Sequence, residues 1–181
     1  MTEEQSLHRG RFLELVSQNG WEFVRRANCT TTVAILAVTE NDELLFVEQF
    51  RPPIGAEVLE LPAGLVGDDP GQGTEEVAIA ANRELEEETG FTARSLHTLG
   101  TFCSSAGLTD ETTTICLAVG CRQTGPGGGI GGESIRIHKI PRNEAASWLA
   151  ERVKSGQLLD GKVWTAFALA ERAGFSDLTE D

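Results

Sequence analysis

Hydrophobic and polar positions alternate in the first third of the chain, in a pattern that predicts antiparallel strands. The segments RFLELVSQ and WEFVRRA are joined by Asn19 and Gly20, a dipeptide typical of a two-residue hairpin turn. The nearly continuous apolar run TTTVAILAVT and the segment ELLFVEQF are joined by the turn residues ND, and they predict a second hairpin. EVLELPAG follows a Pro-rich turn and predicts one more short strand. We therefore expect an N-terminal β-hairpin followed by the strands of a larger sheet.

A helix is predicted over about 75–89, after a loop at 65–73. Thr74 is the expected N-cap, because its hydroxyl can accept a hydrogen bond from the first turn. Gly90 suits the position just past the helix end. Apolar residues recur on one helix face at the spacing that favours packing on a sheet: Val77, Ala78, Ala81 and Leu85. This helix should therefore cover one face of the sheet.

The second half of the chain predicts strands at LHTLGTFC, TTTICLAVGC and SIRIHKIP. Two further helices are expected, one at about 143–153 and one in VWTAFALAERAG, ending at Gly174. We interpret GPGGGIGGE as a flexible linker or hairpin tip, because it lacks the strand-to-helix context and the GK[ST] ending of a phosphate-binding loop. The outline is an α+β fold with mixed sheets and about three helices.

The composition fits one ordinary domain of 181 residues, 40% hydrophobic and 24% charged. A formal net charge of -13 argues against a protein that binds nucleic acid or an anionic membrane, because such proteins carry a basic surface. The four cysteines show no metal-ligand spacing and predict reduced thiols, which suits a cytoplasmic protein. The charged start MTEEQSLHRGRF is unlike a signal peptide, and no apolar run approaches the length of a membrane span, so no membrane partner is expected.

The stretch RELEEETG ends the first predicted helix with a cluster of glutamates. Glu84 and Glu88 form a like-charged i,i+4 pair, and acids at a helix C-terminus oppose the helix dipole, so the arrangement costs stability. At about 100° per residue, Glu84, Glu87 and Glu88 share one edge beside the apolar face, whereas Glu86 projects away from it. Three carboxylates so placed suit Mg2+ or Mn2+. For the helix taken alone, the alternative is a solvent-facing acidic patch.

Read outward, this stretch resembles the signature of the Nudix hydrolases. The residues that match the family pattern in order and spacing are Glu75, seven intervening residues, Arg83, Glu84, Leu85, Glu86, Glu87, Glu88, Thr89, Gly90 and Phe91. One departure lies upstream. Ten residues instead of five separate Gly64 from Glu75, and Asp69 stands where the pattern has its first glycine. Loops tolerate insertions at a small entropic cost, so the helix and its acids should be unaffected.

The resemblance implies that Glu84 and Glu88 are the principal metal ligands, with Glu87 an additional or water-mediated ligand. It also implies that Arg83 orients the acids around it, and that the main-chain carbonyl of Ala63, in LPAG, is a further ligand. Two or three Mg2+ ions per site are implied, with Mn2+ as an alternative ion. Bound ions of this kind neutralise diphosphate oxygens and activate the attacking water.

Another segment resembles the ADP-ribose and ADP-sugar pyrophosphatases of this family. SSAGLTDE is similar to a loop of those enzymes that contributes a late glutamate, which makes Glu111 the candidate to accept the proton of the attacking water or to bind another ion. Asp110 is the second candidate, and a plain hairpin turn is the alternative interpretation. Ala106 stands where proline is usual, which concerns the rigidity of the loop more than its acid.

The resemblance also suggests residues that bind the substrate. In QFRPPIGAEVLELPAG it makes Arg51 a phosphate contact, a role that suits the bidentate guanidinium, with a surface ion pair as the alternative. Glu60 is a candidate acid near the site. Trp21, on the N-terminal hairpin, is a candidate for stacking on adenine, with a place in the core as the alternative.

The sequence thus predicts a single Nudix domain over 1–181. Its core, over about 31–175, is expected to be an α/β/α sandwich with a mixed sheet, and an N-terminal β extension over about 1–30 is expected to form a homodimer. The implied activity is Mg2+-dependent hydrolysis of ADP-ribose or a related nucleoside diphosphate sugar to AMP and a sugar phosphate. The alternatives are another substrate, such as GDP-mannose or a dinucleotide, and a non-catalytic Nudix-fold sensor. The complete set of acids argues against the sensor.

Overall fold

Strands dominate the described part of the chain, and the three α-helices found there cover the main sheet. The computed structural model of the protein describes residues 4–29, 31–67 and 75–175. The strands are β1 (Gln5–Arg9), β2 (Leu13–Gln18), β3 (Trp21–Arg26), β4 (Thr31–Thr39), β5 (Glu43–Arg51), β6 (Ala56–Glu60), β7 (Ala63–Leu65), β8 (Phe91–Thr92), β9 (Ser95–Cys103), β10 (Thr112–Gln123), β11 (Arg136–Pro141) and β12 (Leu158–Leu159). The helices are α1 (Val77–Thr89), α2 (Ala145–Lys154) and α3 (Gly161–Arg172), and a 3-10 turn at Arg142–Glu144 precedes α2.

The first three strands form a separate antiparallel sheet in the order β1-β2-β3. Asn19 and Gly20 connect β2 to β3 with φ angles of 53° and 83°. Positive φ at both central residues is what the favoured hairpin turns require, and Asn-Gly tolerates it. The predicted hairpin is therefore confirmed, and β1 adds a third strand that the pattern does not predict. The Val24 amide donates to the Leu108 carbonyl at 2.8 Å and joins this sheet to the loop before β10.

The other nine strands form one mixed sheet. β4 runs parallel to β10 along most of its length and antiparallel to β5 at its far end, so the predicted hairpin of β4 and β5 is present. β9 pairs antiparallel with β10, and β11 pairs antiparallel with β5. The short β7 lies against the start of β4, where it places Ala63 opposite Ala34. β6 connects β5 to β12 at one edge of the sheet.

The core lies on both faces of the large sheet, because β4 is buried on both sides. Alternate residues of β4 face two apolar clusters: Ala34 and Leu36 pack with α2 and α3, whereas Val33, Ile35 and Ala37 pack with α1. A strand covered by helices on both faces reads as a continuous apolar run, as TTTVAILAVT does. The expected α/β/α sandwich with a mixed sheet is confirmed.

Helix α1 begins later than the pattern predicts. Its first residue is Val77, with Glu76 in the N-cap position and no side-chain cap. The predicted N-cap, Thr74, lies outside the described residues. Ala80 is buried, whereas Ala78, which was expected on the packed face, is exposed. The helix ends as predicted at Gly90, whose φ of 74° is left-handed.

The glycine-rich segment is neither a linker nor the tip of a hairpin. β10 and β11, which flank it, do not pair with each other, since β11 pairs with β5. The segment instead lies against the end of α1, where the Gly128 amide donates to the Glu88 carbonyl at 2.8 Å. Within the described ranges, no helix is both long enough and apolar enough to cross a membrane.

Candidate active site

The acids of α1 line a cavity of about 330 Å³ between the helix, β7 and the loops around the sheet edge. The cavity brings together most of the residues that the sequence singles out: Arg51, Ala63, Arg83, Glu84, Glu87, Glu88 and Glu111. Glu86 is exposed on the opposite side of the helix, as the helical period predicts. Two predicted residues, Trp21 and Glu60, do not line this cavity.

Arg83 is the hub of the acid cluster. Its guanidinium donates to Glu84 at 2.8 Å, to Glu75 at 3.2 Å and to the Leu65 carbonyl at 3.0 Å, and it lies 3.4 Å from Glu87. The neighbouring carboxylates raise the pKa of Arg83, with the hydrogen bond that Arg83 donates to Glu75 as the largest cause. The same bond, together with the Gly67 amide, lowers the pKa of Glu75. Arg83 therefore holds several acids in place.

Glu88 is a buried acid of the site with a strongly perturbed pKa. Its carboxylate accepts from the Ala63 amide at 3.1 Å, and the residue is only 6% exposed. Burial raises the pKa of Glu88 to about 8, and repulsion from Glu84, Glu133 and Glu60 adds to the effect. A carboxylate that is buried among other carboxylates is unfavourable unless a cation compensates it. This environment fits the binding of a divalent cation.

Gly64 gives Glu84 its place in the cavity. A Cβ built on Gly64 would overlap the carboxylate carbon and both oxygens of Glu84. The absence of a side chain at residue 64 thus lets the backbone of β7 and a charged carboxylate lie in direct contact. Hard oxygen ligands from Glu84, Glu87, Glu88 and the Ala63 carbonyl form a donor set that suits Mg2+. Among the described residues, no three such side chains are already arranged as a complete ion site.

Arg51 is held by a buried carboxylate. Its Nε and one terminal nitrogen donate to the two Glu60 oxygens at 2.5 and 2.8 Å, and the Glu60 side chain is 2% exposed. Glu60 is the largest cause of the raised pKa of Arg51. Glu60 lines a neighbouring cavity of about 420 Å³ that shares Arg51 with the acid-lined one. Its position suits the orientation of Arg51 rather than the binding of an ion beside Glu88.

Glu111 lies in the acid-lined cavity and forms a close ion pair with Arg26 of β3. The adjacent residues repeat the pattern, because Arg25 donates to Asp110 at 2.7 Å. Two consecutive arginines of the N-terminal sheet therefore hold two consecutive acids of the loop before β10. The loop carries a defined pair of acids, and Asp110 points its carboxylate to the N-terminal sheet rather than to the cavity.

Trp21 lies apart from the acids. It is 65% exposed and borders a third cavity together with Asn19, Gly107 and Asp110. The alternative of a core tryptophan is therefore wrong. An exposed indole beside a polar loop retains its capacity for stacking, and the structure leaves it separate from the acid-lined cavity.

Three further charged residues line the acid-lined cavity and were missed in the sequence: Arg26, Glu133 and Lys162. Lys162 donates to Asp160, the N-cap of α3, at 2.6 Å. Glu133 follows the glycine-rich segment directly. An acid placed between a run of glycines and a strand was the available signal, because glycines allow a close approach of the backbone to another element. Glu133 was overlooked because the glycine-rich segment was interpreted as a linker or hairpin tip.

The NUDIX domain model matches residues 30–128, so the chain belongs to the Nudix family. Members of this family generally use divalent metal ions. The chain is 38% identical over 141 residues to an ADP-ribose pyrophosphatase of Mycobacterium tuberculosis, which covers 76% of this chain and 61% of that protein. It is 31% identical over 167 residues to the ADP-sugar pyrophosphatase of Mus musculus, covering 83% and 72%. These relatives confirm the resemblance to the ADP-ribose and ADP-sugar pyrophosphatases.

Other matches are shorter or more distant. An ADP-ribose pyrophosphatase of Bacillus subtilis is 42% identical over 86 residues, or 48% of this chain and 44% of that protein. A methanol dehydrogenase activator of Bacillus methanolicus is matched over 63% of its length, so the chain spans less than two thirds of both Bacillus relatives. The crystal structure of an ADP compounds hydrolase has the same fold, with a TM-score of 0.61, 24% identity and coverage of 85% of this chain and 92% of that one.

Proposed function

We propose that the protein hydrolyses the diphosphate bond of ADP-ribose or of a related nucleoside diphosphate sugar, with Mg2+ as its ion, and releases AMP and a sugar phosphate. The observation that carries the proposal is that carboxylates and cationic side chains line one cavity. Glu84, Glu87 and Glu88 of α1 and the cations Arg26, Arg51 and Lys162 all line it. Cations stabilise the negative charge on diphosphate oxygens, and this cavity offers both ligands for metal ions and cationic side chains.

In this proposal Glu84, Glu88 and the Ala63 carbonyl hold the ions, and Glu87 is an additional ligand. Bound divalent ions would supply charge neutralisation at the phosphoryl oxygens and activation of the attacking water. Arg83 lines the cavity beside the acids and donates to three of them, so its guanidinium is engaged by carboxylates. Its role is to position the carboxylates.

The remaining residues would bind the substrate and manage its proton. Glu60 accepts two hydrogen bonds from Arg51 and so orients its guanidinium. The guanidinium would bind phosphate oxygens, with which such groups form bidentate pairs. Glu111 would accept a proton after exchanging its contact with Arg26 for one with water. Trp21 would stack on the adenine ring.

The proposal extends to assembly and location. A single Nudix domain over 1–181, with an N-terminal β extension over about 1–30, would form a homodimer through its N-terminal sheet, and the protein would act in the cytoplasm. The exposed apolar residues of that sheet support a partner surface, because Phe12 and Leu13 are 61% and 49% exposed. The N-terminal sheet contains Trp21, so dimer formation and adenine binding would involve the same element.

A matched pair of substitutions on α1 tests the reaction. We expect Glu88→Gln to abolish Mg2+-dependent release of AMP from ADP-ribose, measured by chromatography of the products. Glu86→Gln is the control, because Glu86 lies on the same helix but is exposed to solvent. Both variants should retain the circular dichroism spectrum of the wild type. Undiminished hydrolysis by Glu88→Gln would disprove the assignment of the ion ligands.

A substrate panel tests the substrate class. ADP-ribose, other ADP-sugars, GDP-mannose and a dinucleotide should be compared by kcat/KM under one set of conditions. The proposal requires the ADP compounds to be preferred. A higher kcat/KM for GDP-mannose or the dinucleotide would reassign the substrate, and no turnover of any compound, together with tight binding, would favour a sensor.

A further inference from the structure

The glycine-rich segment after β10 is fastened to the C-terminal end of α1 by main-chain hydrogen bonds. The last carbonyls of a helix have no partners within the helix. Here they are satisfied from outside, through four bonds: Thr124 N to Gly90 O at 2.7 Å, Gly125 N to Gly90 O at 3.0 Å, Gly128 N to Glu88 O at 2.8 Å and Gly129 N to Glu87 O at 3.1 Å. We refer to residues 124–129 as the clasp. It binds the main chain of the same two glutamates whose side chains line the cavity.

The approach of the clasp to the helix requires glycine. A Cβ on Gly127 would lie 2.6 Å from the Gly90 nitrogen and 2.7 Å from the Thr89 Cα. A Cβ on Gly90 would in turn lie 2.7 Å from the Gly127 nitrogen. Both neighbours are backbone, which cannot move aside as the end of a side chain can. Two backbones therefore meet at van der Waals distance, and a methyl group on either side would separate them.

The clasp leads directly to a carboxylate in the cavity. Glu133 lines the cavity with Glu87 and Glu88. Its carboxylate accepts from the Ile130 amide at 3.1 Å, and the Ile135 amide returns to the Gly128 carbonyl at 3.3 Å. The Ile135 bond thus ties the segment that bears Glu133 back to the clasp, and the Ile130 bond closes the turn that begins directly after the clasp.

We propose that the clasp is a positioning device that places Glu133 in the cavity by using the end of α1 as its anchor. The main-chain hydrogen bonds from Gly128 and Gly129 to Glu88 and Glu87 then set the position of Glu133 relative to these two glutamates. Glu133 contributes to the reaction as a carboxylate beside the ion ligands. The kinetic test of this inference rests on the proposed function. A second test measures the hydrogen bonds between the clasp and α1 directly and does not need turnover.

The kinetic test compares two glycines with nearly equal φ angles. Gly127 and Gly131 have φ angles of +63° and +64°, but a Cβ on Gly131 meets nothing within 4 Å. Alanine is strained by the positive φ at both positions, and only Gly127→Ala separates the clasp from the helix. We expect Gly127→Ala to lower kcat by about 10- to 100-fold with KM nearly unchanged, since small displacements of catalytic groups cost this much. Gly131→Ala should keep the kcat of the wild type.

A double variant distinguishes positioning of Glu133 from damage to α1. Glu133→Gln should lower kcat by a similar factor, and adding Gly127→Ala to it should cause no further loss, because both changes act through one carboxylate. Losses that multiply would overturn the proposal. Should Gly127→Ala fail to fold, Gly129→Ala serves instead, because its Cβ would lie 2.7 Å from the Cβ of Glu133 and displace that residue directly.

Amide exchange by NMR tests the clasp without turnover. The Gly128 and Gly129 amides should exchange slowly in the wild type and in Gly131→Ala, and rapidly in Gly127→Ala. The Ile130 amide should exchange faster in both Gly127→Ala and Glu133→Gln, because it reports the contact with the Glu133 carboxylate. Rapid exchange of these amides in the wild type would overturn the proposal. Slow exchange in a wild type without hydrolase activity would support the clasp and refute only the proposed function.

Discussion

Gly64→Ala adds one methyl group to the wall of the acid-lined cavity and should disable the site without unfolding the protein. The φ angle of Gly64 lies outside the left-handed region, so alanine adopts the same backbone without strain. Alanine also lowers the entropy of the unfolded chain, which adds about 0.4–1 kcal/mol of stability where the site accepts it. The three atoms nearest to the added methyl are all in the Glu84 carboxylate. The effect should therefore fall on the position of one carboxylate.

The size of the effect follows from the geometry. All three carboxylate atoms of Glu84 would have to retreat by at least about 1 Å to reach the 3.4 Å of ordinary contact. Such a retreat displaces a carboxylate that now accepts a 2.8 Å hydrogen bond from Arg83. A misplacement of about 1 Å in a reacting constellation costs roughly 100-fold in rate, which corresponds to about 2.7 kcal/mol. We therefore expect kcat/KM for ADP-ribose to fall by about two orders of magnitude, with a thermal midpoint within a few degrees of the wild type.

Two companion variants make the measurement specific. Gly100→Ala is the control, because its Cβ would lie 3.5 Å from Leu169, an ordinary contact. It should keep full activity. Glu84→Ala removes the group that the methyl strikes, so Gly64→Ala should add no loss in that background. An activity of Gly64→Ala within threefold of the wild type, or a loss that persists undiminished in the Glu84→Ala background, would refute this reasoning.

Four other predictions test separate parts of the molecule. Arg51→Lys should lower kcat/KM about 10- to 100-fold, the equivalent of a charged hydrogen bond of roughly 1.5–3 kcal/mol, because lysine lacks the fork that Glu60 holds; an unchanged value would exclude a bidentate role. Trp21→Ala should raise KM about 5- to 100-fold at constant stability, because the proposed stacking of the exposed indole on the base would be lost. Phe46→Ala should lower the free energy of unfolding by about 3–5 kcal/mol in urea titrations, because the side chain is fully buried. Iodoacetamide should modify the exposed Cys103 in the native protein and spare Cys121, where burial raises the pKa to about 11, as peptide mass mapping would reveal.

The elements that the sequence predicts well depend on local physics. The turn at Asn19 and Gly20 needs positive φ at both residues, and the end of α1 at Gly90 needs it at one, so the residue types alone locate both. The exposure of Glu86 follows from helical period. The confirmed sandwich follows from the same reasoning, because a long apolar strand such as β4 requires cover on both faces.

Features that depend on contacts between residues far apart in the sequence could not be predicted from local patterns. The glycine-rich segment looks like a linker locally, and only its bonds to α1 reveal its place. Arg26 reads as an ordinary strand residue until β3 approaches the loop that contains Glu111. Glu60 was expected near the site, and its partner Arg51 explains its burial. The individual roles of the site residues stay predictions, to be tested by the substitutions above.

The fork between Arg51 and Glu60 has a consequence for the thermodynamics of binding. A free arginine gives up roughly 2 kcal/mol of rotamer entropy when a ligand immobilises it. Arg51 has already given up this freedom during folding, because the buried Glu60 holds two of its nitrogens. Its contact with a phosphate should therefore carry a smaller entropic penalty than the same contact made by a mobile side chain. Calorimetry of a non-hydrolysable analogue should show a less favourable binding entropy in Glu60→Gln than in the wild type.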